Sequence, residues 1–279
     1  MIVIADSGST KTAWKVLGSA INEDIFGEGI NPFQESPDHI KNKISFLFKG
    51  NDHIAGVQKV FYYGAGTGND TNKSILREAL FATFPSADIE VNTDLVAAAR
   101  ATCGRGQGMV AILGTGSNLC FYDGTLIHQN SRSLGFILGD EGSGAFLGKS
   151  LIQGILNEEA SREIIEKFIA RYSVGIEEIL NNVYKKPYPN RYLAGFTPFL
   201  LENIHDPYIF EIVESAFRLF FKYHISRYDQ YKNFPLNLVG SIAVHFESVL
   251  TKTLKDLNVN IGRIMAQPME GLVQFHQSY

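Results

Sequence analysis

The sequence predicts an α/β protein of two similar domains, and three observations lead to this expectation. Short apolar segments alternate with segments of helical spacing over the first hundred residues, which is typical of a sheet covered by helices. A glycine-rich segment at 103–108 interrupts the alternation, and an apolar strand follows it. The 279 residues are enough for two modest domains. We expect one domain at residues 1–106 and a second, with a helical insertion, at 107–279.

In the first half, the apolar residues 2–5 predict a buried strand that ends at Asp6 and Gly8. Further strands are expected at 12–17, 20–28, 57–63 and 89–91. Helical spacing predicts helices at 70–84, with Asp70 as the N-cap, and at 95–101.

The second half opens in the same way as the first. Strands are predicted at 109–113 and 118–122, and a glycine turn with hydroxyl residues lies between them. Residues 141–230 have mostly helical spacing, and a late strand at 235–239 precedes a further helix. The two similar openings indicate a weak internal repeat.

Composition excludes several classes of protein. The 25 basic and 29 acidic residues leave a net charge of −4, so no broad basic surface for nucleic acid or an anionic membrane is expected. Two cysteines, Cys103 and Cys120, are too few for a disulfide scaffold or a four-cysteine zinc site. The first residues lack the basic region of a signal peptide, and no apolar run is long enough to span a membrane. We therefore expect a cytoplasmic protein.

Two glycine turns have the chemistry of a phosphate site. Residues 6–12 (DSGSTKT) combine a carboxylate, a glycine, hydroxyl groups and one lysine, although an ordinary hairpin with an exposed lysine explains them equally well. They do not match the Walker A pattern. Residues 114–117 (GTGS) form the second turn, and Gly240-Ser241 after a late strand is a third candidate. The G-x-G-x-G run at 64–68 has the wrong spacing for dinucleotide binding.

Carboxylates follow two of the predicted strands. Asp94 opens a helix, so it is a candidate general base, or it only complements the helix dipole. Asp140 and Glu141 lie among four glycines at 134–144, a composition that suits close approach of the backbone to a ligand. A capping role for Asp140 is the alternative.

In this order along the chain, the segments 6–12, 93–94, 114–118, 139–143 and 239–241 resemble those of the N-acetylglucosamine kinases. These enzymes belong to the BadF/BadG/BcrA/BcrD-type ATPases within the actin, sugar kinase and Hsp70 superfamily. The resemblance spans residues 2 to about 245, and the combination of GTGSN with GDEGS is its most specific part. It implies two ribonuclease-H-like, actin-like ATPase lobes with ATP, Mg²⁺ and a sugar bound in a cleft between them.

The resemblance also implies roles for single residues. Asp6 would hold the metal, and Asp94 would accept the proton of the sugar hydroxyl. ATP would be bound by Gly8, Ser9, Thr10, Lys11, Gly114, Thr115, Gly116, Gly240 and Ser241. The amino sugar would be bound by Asn31, Thr115, Asn118, Asp140 and Glu141. A homodimer is usual among such relatives.

Three alternatives stay open at this point. The sugar is N-acetylglucosamine, phosphorylated at its 6-hydroxyl, or instead N-acetylmuramic acid or glucosamine. The chain also resembles the ATP-dependent activators of 2-hydroxyacyl-CoA dehydratases, in which two cysteines from each of two copies hold an iron–sulfur cluster. A non-catalytic sensor would require loss of Asp94 or of the phosphate turns, and neither is lost.

Overall fold

The computed structural model describes residues 1–8, 10–51 and 53–277, which form two compact units. The first unit comprises Met1–Arg105 together with the last segment of the chain from Pro268, and the second comprises Gly106–Gln267. The sequence-based division placed that last segment in the second domain. It packs with the first because the His276 ring stacks on Phe61, with centroids 3.7 Å apart, and hydrogen-bonds the Tyr63 hydroxyl at 2.8 Å.

The first unit is a five-stranded mixed sheet with helices. Its elements are β1 (Ile2–Ser7), β2 (Lys11–Leu17), β3 (Asn22–Glu28), α1 (Pro37–Leu47), β4 (Lys59–Gly64), α2 (Asp70–Thr83), β5 (Asp88–Thr93) and α3 (Asp94–Cys103), and the helix at Met269–Gln277 belongs to it as well. The strand order is β3-β2-β1-β4-β5. The pairs β1–β2 and β2–β3 are antiparallel, whereas β1–β4 and β4–β5 are parallel.

The second unit repeats this sheet and adds more helices. Its strands are β6 (Gly108–Leu113), β7 (Ser117–Tyr122), β8 (Ile127–Asn130), β9 (Leu236–Val239) and β10 (Ile261–Met265). Its helices are α4 (Gly135–Leu138), α5 (Gly144–Leu156), α6 (Arg162–Tyr172), α7 (Ile176–Tyr184), α8 (Pro189–Ala194), α9 (Thr197–Glu202), α10 (Pro207–Tyr223), α11 (Ser241–His245) and α12 (Glu247–Asp256), so the terminal helix Met269–Gln277 is α13. The strand order β10-β9-β6-β7-β8, read from the other edge, is that of the first sheet. This confirms the predicted α/β class with two similar lobes.

Each unit has its own aromatic core. In the first, Trp14 packs edge-on against Phe48, with ring centroids 5.1 Å apart, and lies 6.0 Å from Tyr62. In the second, Phe168 contacts Phe196 and Phe199 at about the same spacing. Burial of such rings contributes roughly 1.5–3 kcal/mol each, so each sheet has a stable framework to carry loops at its strand ends. None of the helices in the described ranges is long and apolar enough to cross a membrane.

Helix capping differs from the expectation in one place. Helix α2 begins at the predicted residue, Asp70, but the cap is Asn69, whose side chain accepts a hydrogen bond from the Asn72 N–H at 2.8 Å. Asp70 is therefore the first helical residue, where its charge complements the helix dipole. The same arrangement recurs in α3, where Thr93 is the cap and Asp94 the first helical residue.

Candidate functional site

In the first unit, two carboxylates lie at the same edge of the sheet. Strands β1, β4 and β5 are parallel, so their carboxyl ends meet at one edge. Asp6 is the last residue but one of β1, and Asp94 follows β5 directly. Ligands of open α/β sheets bind outside the carboxyl ends of the strands. The fold therefore brings together the two acids that the sequence had singled out.

The surroundings of both carboxylates favour their neutral form. Burial, and then the charge of Asp94, raise the pKa of Asp6 to about 7, against a lowering effect of Lys11. Burial also raises the pKa of Asp94, although the Leu95 N–H donates to its Oδ1 at 2.9 Å and opposes the shift. Within the described part of the chain, the Asp6 carboxylate has no hydrogen-bond partner. A cation at Asp6 would stabilise its charged form.

The raised pKa of Asp6 predicts a pH-dependent stability. Between the ordinary pKa of 3.8 and about 7, the folded protein keeps a proton on Asp6 that the unfolded chain has released. The free energy of unfolding of the metal-free and nucleotide-free protein should therefore fall as pH rises through this window, by at most about 1.4 kcal/mol per pH unit. Asp6→Asn should flatten this part of the dependence in denaturant titrations. Parallel pH curves for the two proteins would contradict the assignment.

The turn at 6–12 is a closed hairpin. The Gly8 N–H donates to the Lys11 carbonyl at 3.0 Å, and the buried Thr12 hydroxyl bonds the Ser7 hydroxyl at 2.8 Å. The Gly8 N–H is thus already used inside the protein, and the assignment of Gly8 to ATP stays a prediction. Thr10 and Lys11 are exposed at the tip. Ser9 lies outside the described residues.

Asn31 lies against the 64–68 loop of the same unit. Its N–H donates to Glu35 at 2.9 Å, and its Oδ1 accepts from the Phe33 N–H at 3.0 Å. A side chain on Gly66 would collide with that Oδ1, since a Cβ there would lie 2.6 Å away. The buried Thr67 hydroxyl ties this loop to the Asn92 carbonyl in β5 at 2.9 Å, two residues before Asp94. Sequence reasoning missed Glu35, which belongs to no motif, and it set aside the run at 64–68 that contains Thr67.

In the second unit, the glycine turn at 114–116 is joined to the loop at 139–145. The Gly144 N–H donates to the Gly114 carbonyl at 2.8 Å, and the Ala145 N–H donates to the Thr115 carbonyl at 3.1 Å. Gly240, after β9, lies against the end of β6, because a Cβ on it would be 2.2 Å from the Leu113 carbonyl oxygen. Three segments that are remote in sequence therefore converge at the carboxyl ends of β6 and β9, and Ser241 begins α11 there.

Asp140 and Glu141 belong to this convergence. The Asp140 side chain is buried over the glycine turn, with its Oδ2 3.1 Å from where a Cβ on Gly116 would lie. Burial raises the pKa of Asp140, and the charge of Glu141 adds to this. Asp140 is not the helix cap that one reading of the sequence proposed, because Ser143 caps α5 through the Phe146 N–H.

Asn118 has partners of its own within the protein. Its Oδ1 accepts hydrogen bonds from the Leu119 N–H at 2.9 Å and from the Ser131 hydroxyl at 3.1 Å. No hydrogen bond joins Asn118 to Asp140 or Glu141 among the described residues. Its oxygen is therefore bonded at the sheet edge, and its amide nitrogen has no hydrogen-bond partner among the residues that the structure describes.

Several features at the strand ends of each unit fit a phosphate or a divalent cation. The buried Ser117 hydroxyl, directly after the glycine turn, has no hydrogen-bond partner in the part of the chain that the structure describes. The space where a side chain on Gly114 would lie is open to 4 Å. Asp6 supplies a carboxylate oxygen, a ligand type that Mg²⁺ prefers. Over the same residues, no group of three or more His, Cys, Asp or Glu side chains is arranged to hold a metal without help from a ligand or water.

Several solved structures that are similar to this chain carry sugar-kinase names. A protein from Porphyromonas gingivalis, provisionally named an N-acetylglucosamine kinase, is 38% identical, with 100% of this chain and 99% of that chain covered and a TM-score of 0.95. A provisionally named N-acetylglucosamine kinase from Chromobacterium violaceum is 17% identical over 98% of each chain, with a TM-score of 0.77. A ROK family glucokinase from Streptomyces griseus, solved with glucose and AMPPNP, is 13% identical over 99% and 98% of the two chains, with a TM-score of 0.59. No protein-family model and no curated protein matches the sequence.

Proposed function

Because the chain belongs to the N-acetylglucosamine kinase family, we propose that it transfers the γ-phosphoryl group of ATP to the 6-hydroxyl of N-acetylglucosamine. The observation that carries this proposal is the pair Asp6 and Asp94 at one sheet edge, each with a raised pKa. A carboxylate of raised pKa is a better proton acceptor, and a second one close to it can hold a cation.

Asp94 is assigned the role of general base. It accepts the proton of the sugar hydroxyl while that oxygen forms its bond to the γ-phosphorus and the bond between this phosphorus and the bridging oxygen of ADP breaks. Asp6 would hold Mg²⁺, which when bound neutralises charge on the phosphates. Phosphoryl transfer needs no covalent intermediate with the protein. The other main contribution of the protein to catalysis is therefore to position the two substrates.

The proposal divides the binding residues between the two units. ATP phosphates are assigned to Thr10 and Lys11 in the first unit and to the 114–116 turn in the second. The sugar is assigned to Asn31, Thr115, Asp140 and Glu141, and to the amide nitrogen of Asn118. Amide and carboxylate groups give directional hydrogen bonds to hydroxyl and acetamido groups. Gly240 and Ser241, at the start of α11, are assigned to the adenosine.

A coupled assay of ADP release tests the proposed activity. The purified protein would be assayed with Mg²⁺-ATP and N-acetylglucosamine, N-acetylmuramic acid, glucosamine or glucose in parallel. We expect the highest kcat/KM with N-acetylglucosamine, and phosphorus–proton couplings that place the phosphate on the C6 methylene. A higher kcat/KM for N-acetylmuramic acid or glucosamine would identify that sugar as the substrate instead. ADP release that no sugar stimulates would refute the kinase proposal.

The iron–sulfur alternative has a structural obstacle. The side chain of Cys120 lies in β7 with no accessible surface, so it cannot reach a cluster shared with a second copy without opening the sheet. Because ATP is the proposed phosphoryl donor, we also propose that the reaction takes place in the cytoplasm.

We also propose that the chain forms a homodimer through α7. This helix exposes an apolar stripe of Ile176, Leu180 and Tyr184, of which 54, 46 and 78% of the surface is accessible. These positions are four residues apart, so they lie on one side of the helix. Exposed apolar stripes of this kind mark interaction surfaces.

The charges at the two ends of α7 favour a second copy as the partner. Glu177 and Glu178 begin the helix, and Lys185 and Lys186 follow its end. None of these four residues has an ion pair within the described chain. In an antiparallel pair about a twofold axis near Leu180, the acidic end of each helix meets the basic end of the other.

Replacing Leu180 by Glu should therefore convert a dimer into a monomer, because the apolar side chain at the axis in each copy would be exchanged for a negative charge that faces its like. Multi-angle light scattering after size exclusion gives the mass. Phe46→Glu is the matched control, because Phe46 is 80% exposed on α1 of the other unit. A monomeric wild type, or a Leu180→Glu variant that stays dimeric, would refute this interface.

A further inference from the structure

The loop that carries Asp140 is held by a hydrogen bond between two side chains that no single motif contains. The Nε2 of His224 lies 2.9 Å from the Oε2 of Glu141, and the two side chains are only 7 and 15% exposed. The residues are 83 positions apart, and His224 directly follows the last residue of α10. The pair therefore joins the end of a core helix to the loop at 139–145.

The surroundings of His224 define which nitrogen carries the proton. Its ring lies 5.0 Å from that of Phe220, at an angle of 30°, in the core next to α10. The Nδ1 is buried and has no hydrogen-bond partner among the described residues. A buried N–H without an acceptor costs about 1–3 kcal/mol, so the neutral ring places its proton on Nε2. This N–H donates to Glu141 Oε2, and the Glu141 Oε1 is left for another donor.

The hydrogen bond between His224 and Glu141 stabilises a loop whose backbone is strained. Asp140 has φ of +57° and Gly142 has φ of +76°, and the first of these is costly for a residue with a side chain. The Ser143 N–H closes the turn by donating to the Asp140 carbonyl at 3.0 Å. Phe220 lies under Gly142, where a Cβ would be 3.0 Å from the Phe220 Cβ. The end of α10 thus supports the loop at Gly142 by packing and at Glu141 by a hydrogen bond.

We propose that His224 is a positioning residue for the sugar: it fixes one oxygen of Glu141, leaves the other for a sugar hydroxyl, and keeps the Asp140 carboxylate over the glycine turn. This inference rests on the proposed kinase function and on the assignment of Asp140 and Glu141 to the sugar. It predicts that loss of His224 weakens use of the sugar much more than use of ATP. Asp6 and Lys11, which are assigned to Mg²⁺ and ATP, belong to the other unit.

Steady-state kinetics of His224→Ala and His224→Gln test this role. The Ala variant should raise the KM for N-acetylglucosamine about 10- to 100-fold, the usual cost of losing a hydrogen bond to a charged group, with the KM for ATP changed less than about twofold. The Gln variant keeps an N–H donor near the same position, so it should recover most of the sugar affinity. His205→Gln is the control, because His205 is exposed on the α9–α10 connection.

A double-variant cycle separates this role from a general loss of stability. Glu141→Ala combined with His224→Ala should be markedly less harmful than the sum of the two single changes, because each removes the same contact. An unchanged sugar KM in His224→Ala, additive effects in the cycle, or equal losses for sugar and ATP would overturn the inference. If the wild type phosphorylates no sugar, the proposed function fails, and amide hydrogen exchange then tests the contact between His224 and the loop. The amides of residues 143–145 should exchange faster in His224→Ala than in His205→Gln. Equal exchange rates in the two variants would overturn the contact.

Discussion

Asp94→Asn should lower kcat by about 10²- to 10⁴-fold while the affinity for ATP stays within about threefold of the wild type. The change removes the proton acceptor but keeps the shape of the side chain. The Oδ1 of an asparagine can still accept the Leu95 N–H, now at 2.9 Å from Asp94, and Thr93 still caps α3. The fold at the carboxyl end of β5 is therefore preserved, and the loss falls on the proton transfer.

Helix α2 offers a matched control for this substitution. Asp70 is also the first residue of a helix, follows a capping side chain and lies in the same unit, but it is exposed. Asp70→Asn should leave kcat unchanged, so it measures what removal of a helix-start charge does by itself. Turnover would be measured with both substrates saturating, and ATP binding by calorimetry. Turnover like that of the wild type in Asp94→Asn would refute the assignment of Asp94 as the general base. An equal loss of turnover in Asp94→Asn and Asp70→Asn would show that the loss comes from removing a negative charge at the start of a helix.

Local sequence patterns were sufficient for the strands that carry the candidate site. The apolar run 2–5 followed by Asp6, and the apolar run 109–113 followed by a glycine turn, correspond to β1 and β6. Strand formation and termination are local properties, because they follow from side-chain alternation and from glycine. The similar openings of the two halves correspond to two sheets with one strand order.

Contacts between distant residues were not predictable in this way. His224 meets Glu141 across 83 positions, and His276 meets Tyr63 across 213, and neither pair has a spacing that a motif could show. The hydrogen bonding of the Gly8 N–H depends on where the Lys11 carbonyl points, which is a property of the folded hairpin. The combination of two acids and four glycines at 134–144 did indicate a ligand-binding loop, and the structure joins the end of this segment to the 114–116 turn.

Two glycines at neighbouring strand ends should differ in how much stability the protein loses when each is replaced by alanine. A Cβ on Gly114 would meet no atom within 4 Å, so Gly114→Ala should fold with a free energy of unfolding within about 0.5 kcal/mol of the wild type. A Cβ on Gly240 would lie 2.2 Å from the Leu113 carbonyl oxygen, at a φ of +129°. Gly240→Ala should therefore be strongly destabilised, because the backbone of β6 or of the turn after β9 must move.

If the open space at Gly114 is where a phosphate of ATP approaches the backbone, the methyl group of Gly114→Ala occupies it. We then expect the KM for ATP to rise at least about tenfold, the effect of about 1.4 kcal/mol, in a protein of normal stability. Gly175→Ala is the control, since Gly175 precedes α7 and also has no atom within 4 Å of its missing Cβ. Chemical denaturation reports stability, and initial rates over a range of ATP concentrations report KM. An ATP KM in Gly114→Ala equal to that of Gly175→Ala would remove this turn from the nucleotide site, whereas a selective rise would show that its glycine serves a ligand and not the fold.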